Sequence, residues 1–194
     1  MYAACGGRDV REAVPYGLVF EDTEMSYRNR KKNRLANYDY SQNGGYFITI
    51  CTKQKECLLA SIVGDGVLDV PVTHLSDFGS AIERRIHQMN RVYPNVQTVK
   101  YAIMPNHVHL LVCVEQQDSR CVAGTSGRPS PTNEIIPSYV STLKRLCNRE
   151  IGENIWQRSY HDHIIRDQAH FDLIWNYIDT NPIRWKQDCF YTEE

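Results

Sequence analysis

Met104-Pro105-Asn106-His107-Val108-His109-Leu110-Leu111 is the stretch that decides the fold of this 194-residue chain. Its Pro-Asn pair is typical of a tight turn, and the run from His107 to Val114 is apolar nearly throughout. Such a run predicts a central strand that is covered on at least one face. The residues from Val96 to Met104 predict another strand before the turn. The two strands should form a hairpin, so at least part of the sheet is antiparallel.

The remaining elements are predicted by hydrophobic periodicity and by turn residues. In chain order the pattern predicts a strand at 46–52, a helix at 75–89 capped by Thr73 or Ser76, the two hairpin strands, a helix at 136–151, a strand at 161–166 and a helix at 168–179. The order is therefore β-α-β-β-α-β-α. The expected fold class is α+β, a single and mainly antiparallel sheet with helices packed on it.

One main domain is expected from the length and the distribution of residue types. Residues 1–26 show no sustained period and are interpreted as an N-terminal extension of uncertain order. Residues 27–190 are expected to form the domain. A stretch rich in Gly, Pro and Ser near 115–134 predicts a flexible loop within it.

Composition and charge exclude several classes of protein. The chain has 22 Lys and Arg against 23 Asp and Glu, a net charge of −1, so nucleic-acid binding would need a local basic patch. The seven cysteines form no C-x-x-C pair, which argues against a zinc ribbon or a disulfide framework. No apolar run reaches about 18 residues and no secretory signal is evident. We therefore expect a cytoplasmic protein without a membrane span.

His107 and His109 are the sharpest candidates for chemistry. Residues two apart on a strand point to the same side, so the two imidazoles should aim at one point. Such a pair is suited to binding a metal ion. The alternative is two core histidines that are hydrogen-bonded to the backbone, and a bare H-x-H pair does not decide between them.

Tyr177 and Asn181 are the candidates in the last helix. Phe171, Ile174, Trp175 and Ile178 define its core face, and Tyr177 and Asn181 flank that face one turn apart. A tyrosine there can be an ordinary rim residue. The functional alternative is a phenol at the edge of the core, beside an amide that can ligate a metal.

The ordered set of motifs resembles the HUH tyrosine transposases, and within them the REP-associated tyrosine transposases. The matching pieces span roughly residues 28 to 186. They are Arg34, Tyr38-Asp39-Tyr40-Ser41, the stretch 46–52, the stretch 101–112, the stretch 155–166 with His161-Asp162-His163, and Tyr177-Ile178-Asp179-Thr180-Asn181-Pro182. Each piece is weak alone, but their order along the chain is specific.

The resemblance implies an HUH endonuclease core of ferredoxin-like type and a definite chemistry. It implies that Tyr177 is the nucleophile, that His107, His109 and Asn181 hold Mg²⁺ or Mn²⁺, and that His163 supports the site from a second shell. It also implies cleavage and rejoining of single-stranded hairpin DNA, such as repetitive extragenic palindromes, through a 5′-phosphotyrosine. That activity is DNA transposition, and it would place the protein at the nucleoid as a monomer or homodimer.

DNA contacts are expected from basic residues in three places. These are the run Arg28, Arg30, Lys31, Lys32 and Arg34, the helix face Lys144, Arg145 and Arg149, and Arg166. A solvated tail and a solvated helix face are the alternatives for the first two.

Two rival functions remain open at this stage. One is a domesticated module that binds hairpin nucleic acid without cutting it. The other is a metal-dependent nuclease that uses His107 and His109 to activate water. The pair His161 and His163 is an alternative metal site, although outward-facing histidines on a strand are the simpler interpretation.

Overall fold

The computed structural model describes residues 40, 42–64, 71–115 and 135–192. Its elements in chain order are β1 (Gly44–Cys51), β2 (Ala60–Val63), β3 (Val72–Leu75), α1 (Asp77–Val92), β4 (Val96–Ile103), β5 (His107–Val114), α2 (Ile135–Ile151), β6 (His161–Ile165) and α3 (Gln168–Thr180), with 3-10 turns at Lys53–Lys55 and Trp185–Gln187. The predicted extension 1–26, the basic run 28–34 and residues 116–134 of the predicted loop lie outside the described residues.

Four strands form the main sheet in the order β4-β5-β1-β6, and every neighbouring pair is antiparallel. The predicted α+β class is therefore confirmed, as is the central position of β5. The hairpin between β4 and β5 is closed by a hydrogen bond of 2.8 Å from the Met104 N–H to the carbonyl of His107. This turn brings the two histidines into the middle of the sheet.

Helices cover both faces of this sheet. On one face α1 and α2 bury a large apolar core that includes Ile48, Ile50, Val108 and Leu110. On the other face α3 packs through Ile174 and Ile178 against a smaller cluster that includes Phe47 and Leu111. Side chains alternate along a strand, so His107 and His109 face α3 while Val108 and Leu110 face α1 and α2.

A second, two-stranded sheet was not among the predicted elements. β2 and β3 pair antiparallel around residues 65–70, which lie outside the described part of the chain. Leu75 ends β3 and so lies outside the first helix. Of the two predicted caps, Ser76 is confirmed as the N-cap, and its Oγ accepts from the Gly79 N–H at 3.1 Å. Thr73 lies within β3 and is not the cap.

Gly79 is required where α1 meets the preceding chain. A Cβ at this position would lie 2.1 Å from the carbonyl oxygen of Leu59, which no side chain can tolerate. The same carbonyl accepts from the Ser76 N–H at 2.9 Å. The start of α1 is thus held against residues 58–59, beside the turn that precedes β5.

The helices of the described ranges include none that combines the length and the apolar character needed to cross a membrane.

Candidate active site

His107 and His109 lie side by side on β5, and both side chains are fully buried. Their Nε2 atoms are 3.0 Å apart. On the far side of each ring, Nδ1 has its own partner: Asn106 Oδ1 at 2.9 Å for His107, and Thr49 Oγ1 at 2.9 Å for His109. The two Nε2 atoms therefore point together into one site, as the spacing predicted.

Both imidazoles are held neutral by their surroundings. Burial lowers the pKa of His107 from 6.5 to about 3, with a further lowering from the positive charge of Lys55. Burial also lowers the pKa of His109 well below its usual value, and the neighbouring His107 adds to the effect. A neutral imidazole is the form that ligates a metal, so the two rings are in the protonation state that a metal site needs.

Tyr177 approaches this pair from α3. Its hydroxyl oxygen is 3.4 Å from His109 Nε2 and donates to Asp188 Oδ2 at 3.4 Å. Its ring stands edge-on to that of Phe47, with centroids 5.9 Å apart. Burial raises the pKa of the phenol well above its usual value of 10, and the carboxylate of Asp188 raises it further. The phenol is therefore protonated at neutral pH.

Asn181 and Asp188 complete the cluster. Asn181 lies at the C-terminal end of α3, and its Nδ2 donates to Asp188 Oδ2 at 2.7 Å. The Asn181 Oδ1 is buried and has no hydrogen-bond partner among the described residues. Asp188 follows the last 3-10 turn, and its side chain is also almost fully buried. A role for Asp188 was not predicted from the sequence, because an isolated carboxylate beyond the last predicted helix belongs to no motif.

The donor set fits a divalent metal ion. One ligand atom from each of His107, His109 and Asp188 can be chosen so that all three lie within 4.8 Å of one another. Imidazole nitrogen and carboxylate oxygen together suit ions such as Mn²⁺. An unpartnered amide oxygen is costly in a buried position, and the Asn181 Oδ1 is such an oxygen within the described residues. Two Nε2 atoms at 3.0 Å without a shared proton or cation would also repel each other.

His163 and His161 lie on the same sheet face but one strand further away. Their register with Phe47 and Thr49 of β1 places both on the face that carries His109, so the expectation of outward-facing histidines is wrong. The reason is that side chains alternate along β6, and Ile164 between His163 and Ile165 packs on the opposite core. The ring of His163 contacts that of His170 at a centroid distance of 4.6 Å, and burial lowers the pKa of His163 to about 4.

Of the basic residues predicted for DNA binding, those in the described part of the chain are not gathered at this site. Arg145 and Arg149 are exposed on α2, whose buried side packs on the opposite face of the sheet. Lys144 instead donates to the carbonyls of Gln157 and Ser159, both at 2.8 Å, and so holds the segment before β6. Arg166 is exposed at the end of β6. The run from Arg28 to Arg34 lies outside the described residues.

Comparisons with known proteins agree with the resemblance drawn from the sequence. No protein-family model matches the chain. A Haemophilus influenzae protein described as uncharacterized is 34% identical over 177 residues, which cover 85% of this chain and 94% of that protein. A second Haemophilus influenzae protein, provisionally named a REP-associated tyrosine transposase, is 24% identical over 152 residues, or 77% of each chain.

One solved structure shows a similar fold. It is a REP-associated tyrosine transposase bound to a REP hairpin, and it matches with a TM-score of 0.52 at 18% identity, over 78% of this chain and 73% of that chain. At this level of identity the likeness concerns the fold. Together with the named relative, it confirms the predicted resemblance.

Proposed function

We propose that this chain, which resembles the REP-associated tyrosine transposases, cleaves and rejoins single-stranded hairpin DNA through a 5′-phosphotyrosine. The observation that carries the proposal is the position of the Tyr177 hydroxyl, 3.4 Å from a buried imidazole of the H-x-H pair and 3.4 Å from a buried carboxylate. A core histidine pair without a catalytic role would need neither of these neighbours.

Tyr177 is proposed as the nucleophile. Its oxygen attacks the scissile phosphorus, a bond from Oη to phosphorus forms, and the bond from phosphorus to the 3′-oxygen breaks to release a 3′-hydroxyl. Asp188 Oδ2 accepts the phenolic hydrogen bond and is placed to receive the proton. The reverse attack by a 3′-hydroxyl restores the tyrosine and rejoins the strand. One phosphodiester replaces another, so rejoining needs no nucleotide cofactor.

The metal site is proposed at His107, His109 and Asn181, with Asp188 within reach of both imidazoles. Mg²⁺ or Mn²⁺ bound there would neutralise charge that develops on the phosphate in the transition state. The protein's own contribution is to keep the imidazoles neutral and oriented. His163 is proposed as a supporting residue on β6, which β1 separates from β5.

Hairpin DNA is the proposed partner because a solved relative of the same fold is bound to a REP hairpin. With a net charge of −1 the chain has no broad positive field, so local basic groups must hold the phosphates. The proposed contacts are those predicted from the sequence: Arg28, Arg30, Lys31, Lys32, Arg34, Arg145, Arg149 and Arg166. Lys144 is a weaker candidate because its ammonium already serves two carbonyls.

A covalent adduct distinguishes this function from its two rivals. A tyrosine transferase forms a protein–DNA adduct on a labelled single-stranded hairpin with Mn²⁺, which a denaturing gel detects. A nuclease that activates water releases products without an adduct, and a hairpin-binding module does neither.

Tyr177→Phe should abolish the adduct, by at least about 1,000-fold, while hairpin binding stays within a few-fold. The substitution removes the hydroxyl and keeps the ring that packs on Phe47. Tyr139→Phe is the matched control, since Tyr139 is a buried tyrosine on the opposite face whose hydroxyl bonds Thr98 Oγ1 at 2.6 Å. Full adduct formation by the Tyr177 variant would move the nucleophile elsewhere. Tyr160 would then be tested next, although it packs on the α1 and α2 side of the sheet.

The form of the substrate gives a second test. The phosphate must reach both a strand-borne imidazole pair and a helix-borne tyrosine in a buried cluster, and an unpaired backbone bends into such a site more readily than a stacked duplex. We expect cleavage at an unpaired position near the foot of the stem and none on a fully paired duplex. Equal cutting of both substrates would favour the nuclease.

A further inference from the structure

Asn106 lies in the turn between β4 and β5, directly before the first histidine, and its side chain is fully buried. Its amide nitrogen donates to the main-chain oxygens of Lys55 at 3.2 Å and Phe190 at 2.8 Å. Its amide oxygen lies 2.9 Å from His107 Nδ1. One side chain thus joins two distant segments of the chain to the imidazole.

The orientation of this amide is set by its main-chain partners. Carbonyl oxygens can only accept hydrogen bonds, so the side of the amide that faces Lys55 and Phe190 must be the NH₂ group. The amide oxygen is left to face His107. A flipped amide would place its oxygen against the two carbonyl oxygens and its NH₂ group against the imidazole of His107.

The orientation of Asn106 in turn fixes the hydrogen on His107. An amide oxygen also only accepts, so the short contact at 2.9 Å requires the hydrogen on Nδ1. A neutral imidazole carries one such hydrogen, and Nε2 is therefore left with its lone pair. That lone pair points into the site, towards His109 Nε2 at 3.0 Å.

We infer that Asn106 is a positioning residue that holds His107 in the Nδ1–H form, with the Nε2 lone pair ready for a metal ion. The inference rests on the metal site proposed above. Partners of this kind behind a ligating histidine typically change metal affinity by about 10- to 100-fold when they are removed.

Among the described residues, His109 has no partner that fixes the position of its hydrogen in this way. Its Nδ1 partner is the Thr49 hydroxyl at 2.9 Å, and a hydroxyl can donate or accept. Thr49 therefore orients the ring of His109 without dictating where its hydrogen sits. The asymmetry singles out Asn106 as the residue that gives the pair a defined arrangement of hydrogens.

A substitution at Thr52 distinguishes this positioning role of Asn106 from a purely structural one. Thr52 is fully buried, and its Oγ1 donates to the main-chain oxygens of Asn106 at 3.0 Å and Glu56 at 2.8 Å. Thr52 thus supports the same turns, but its hydroxyl bonds neither imidazole in the described structure. Thr52→Val loosens the turns and leaves the amide-to-imidazole contact in place.

The decisive measurement is a ¹⁵N NMR spectrum of the histidine rings in the full-length, metal-free protein at pH 8. It distinguishes Nδ1–H from Nε2–H, and a His107→Gln spectrum assigns the signal. We expect Nδ1–H for His107 in the wild type and in Thr52→Val. We expect Asn106→Leu to populate the Nε2–H form and to bind Mn²⁺ about 10- to 100-fold more weakly by calorimetry.

Two results would overturn the inference: an Nε2–H form of His107 in the wild type, or a loss of Mn²⁺ affinity in Thr52→Val as large as that in Asn106→Leu. If Asn106→Leu fails to fold by circular dichroism, the spectra of the wild type and Thr52→Val still decide the matter. A wild type that shows Nδ1–H but binds no Mn²⁺ and forms no adduct would overturn the proposed function and leave the tautomer assignment standing.

Discussion

The two faces of the main sheet carry opposite kinds of side chain, although the same strands supply both. Along β5, Val108 and Leu110 enter the apolar core beneath α1 and α2, whereas His107 and His109 face α3. The alternation of a single strand therefore assigns stability to one face and chemistry to the other. Changes on the two faces should have separable consequences.

The site face gathers the cost of burying polar groups into one cluster. It buries two imidazoles whose pKa values burial lowers, a phenol whose pKa burial raises, and the unpartnered Asn181 Oδ1. Buried polar atoms without partners destabilise a fold. The large apolar cluster on the opposite face offsets this cost, which explains how a cluster of polar groups can sit in the middle of the sheet.

Removing either histidine should give the largest functional effect. We expect His107→Ala and His109→Ala to weaken Mn²⁺ binding by at least about 100-fold, more than loss of an outer partner would, and to abolish adduct formation. The cooperative melting transition should persist, because the core under α1 and α2 is untouched. His74→Ala is the control, since His74 is exposed on β3. Unchanged Mn²⁺ binding in both site variants would place the metal elsewhere, with His161 and His163 as the next candidates.

Leu110→Ala should lower the stability of the fold and leave metal binding nearly unchanged. Leu110 is fully buried in the apolar core beneath α1 and α2, on the face opposite His109. Its truncation should lower the free energy of unfolding by about 2–5 kcal/mol. Urea denaturation measures this loss, while calorimetry on the folded variant should find Mn²⁺ affinity within a few-fold of the wild type. A strong loss of metal affinity would show that the two faces are coupled.

Much of this division between an apolar face and a site face could be predicted from the sequence, but not all of it. The period-two pattern at His107 and His109 predicted their common direction, and the helical spacing placed Tyr177 and Asn181 together. The hairpin of β2 and β3 escaped prediction because its strands have four residues each and are only partly buried. The roles of Asp188 and Asn106 depend on contacts that local sequence patterns do not encode. Asp188 contacts Tyr177, 11 residues before it, and Asn106 contacts Phe190, 84 residues after it.

Asp188→Asn should have a smaller effect than loss of a histidine. The amide keeps the shape of the side chain and an oxygen for the Phe190 N–H, which now donates to Asp188 Oδ1 at 2.7 Å. It removes the charge that faces Tyr177 and both imidazoles. We expect Mn²⁺ affinity to fall by about 10- to 100-fold and the adduct to form more slowly. Wild-type affinity and rate in this variant would exclude Asp188 from the site's chemistry.

The smallest effect should be a gradual loss of stability in acid, and it should originate on the site face. Burial lowers the pKa of His107 to about 3 and that of His163 to about 4, and it also lowers those of His109, His161 and His170. In the unfolded chain these groups titrate near 6.5. Between the two values the unfolded state binds protons that the folded state does not, so stability is complete above pH 6.5 and falls as the pH drops towards 4. Each such histidine contributes at most about 1.4 kcal/mol per pH unit, and less where solvent reaches it.

Urea denaturation of the metal-free protein between pH 8 and 4 tests this origin. His163→Gln removes one of these groups without touching the proposed ligands, so it should flatten the acid slope, while any change it causes at pH 8 measures packing alone. If the slope of the variant equals that of the wild type, the acid sensitivity arises from other groups. The acid sensitivity would then no longer mark the site face as the costly one.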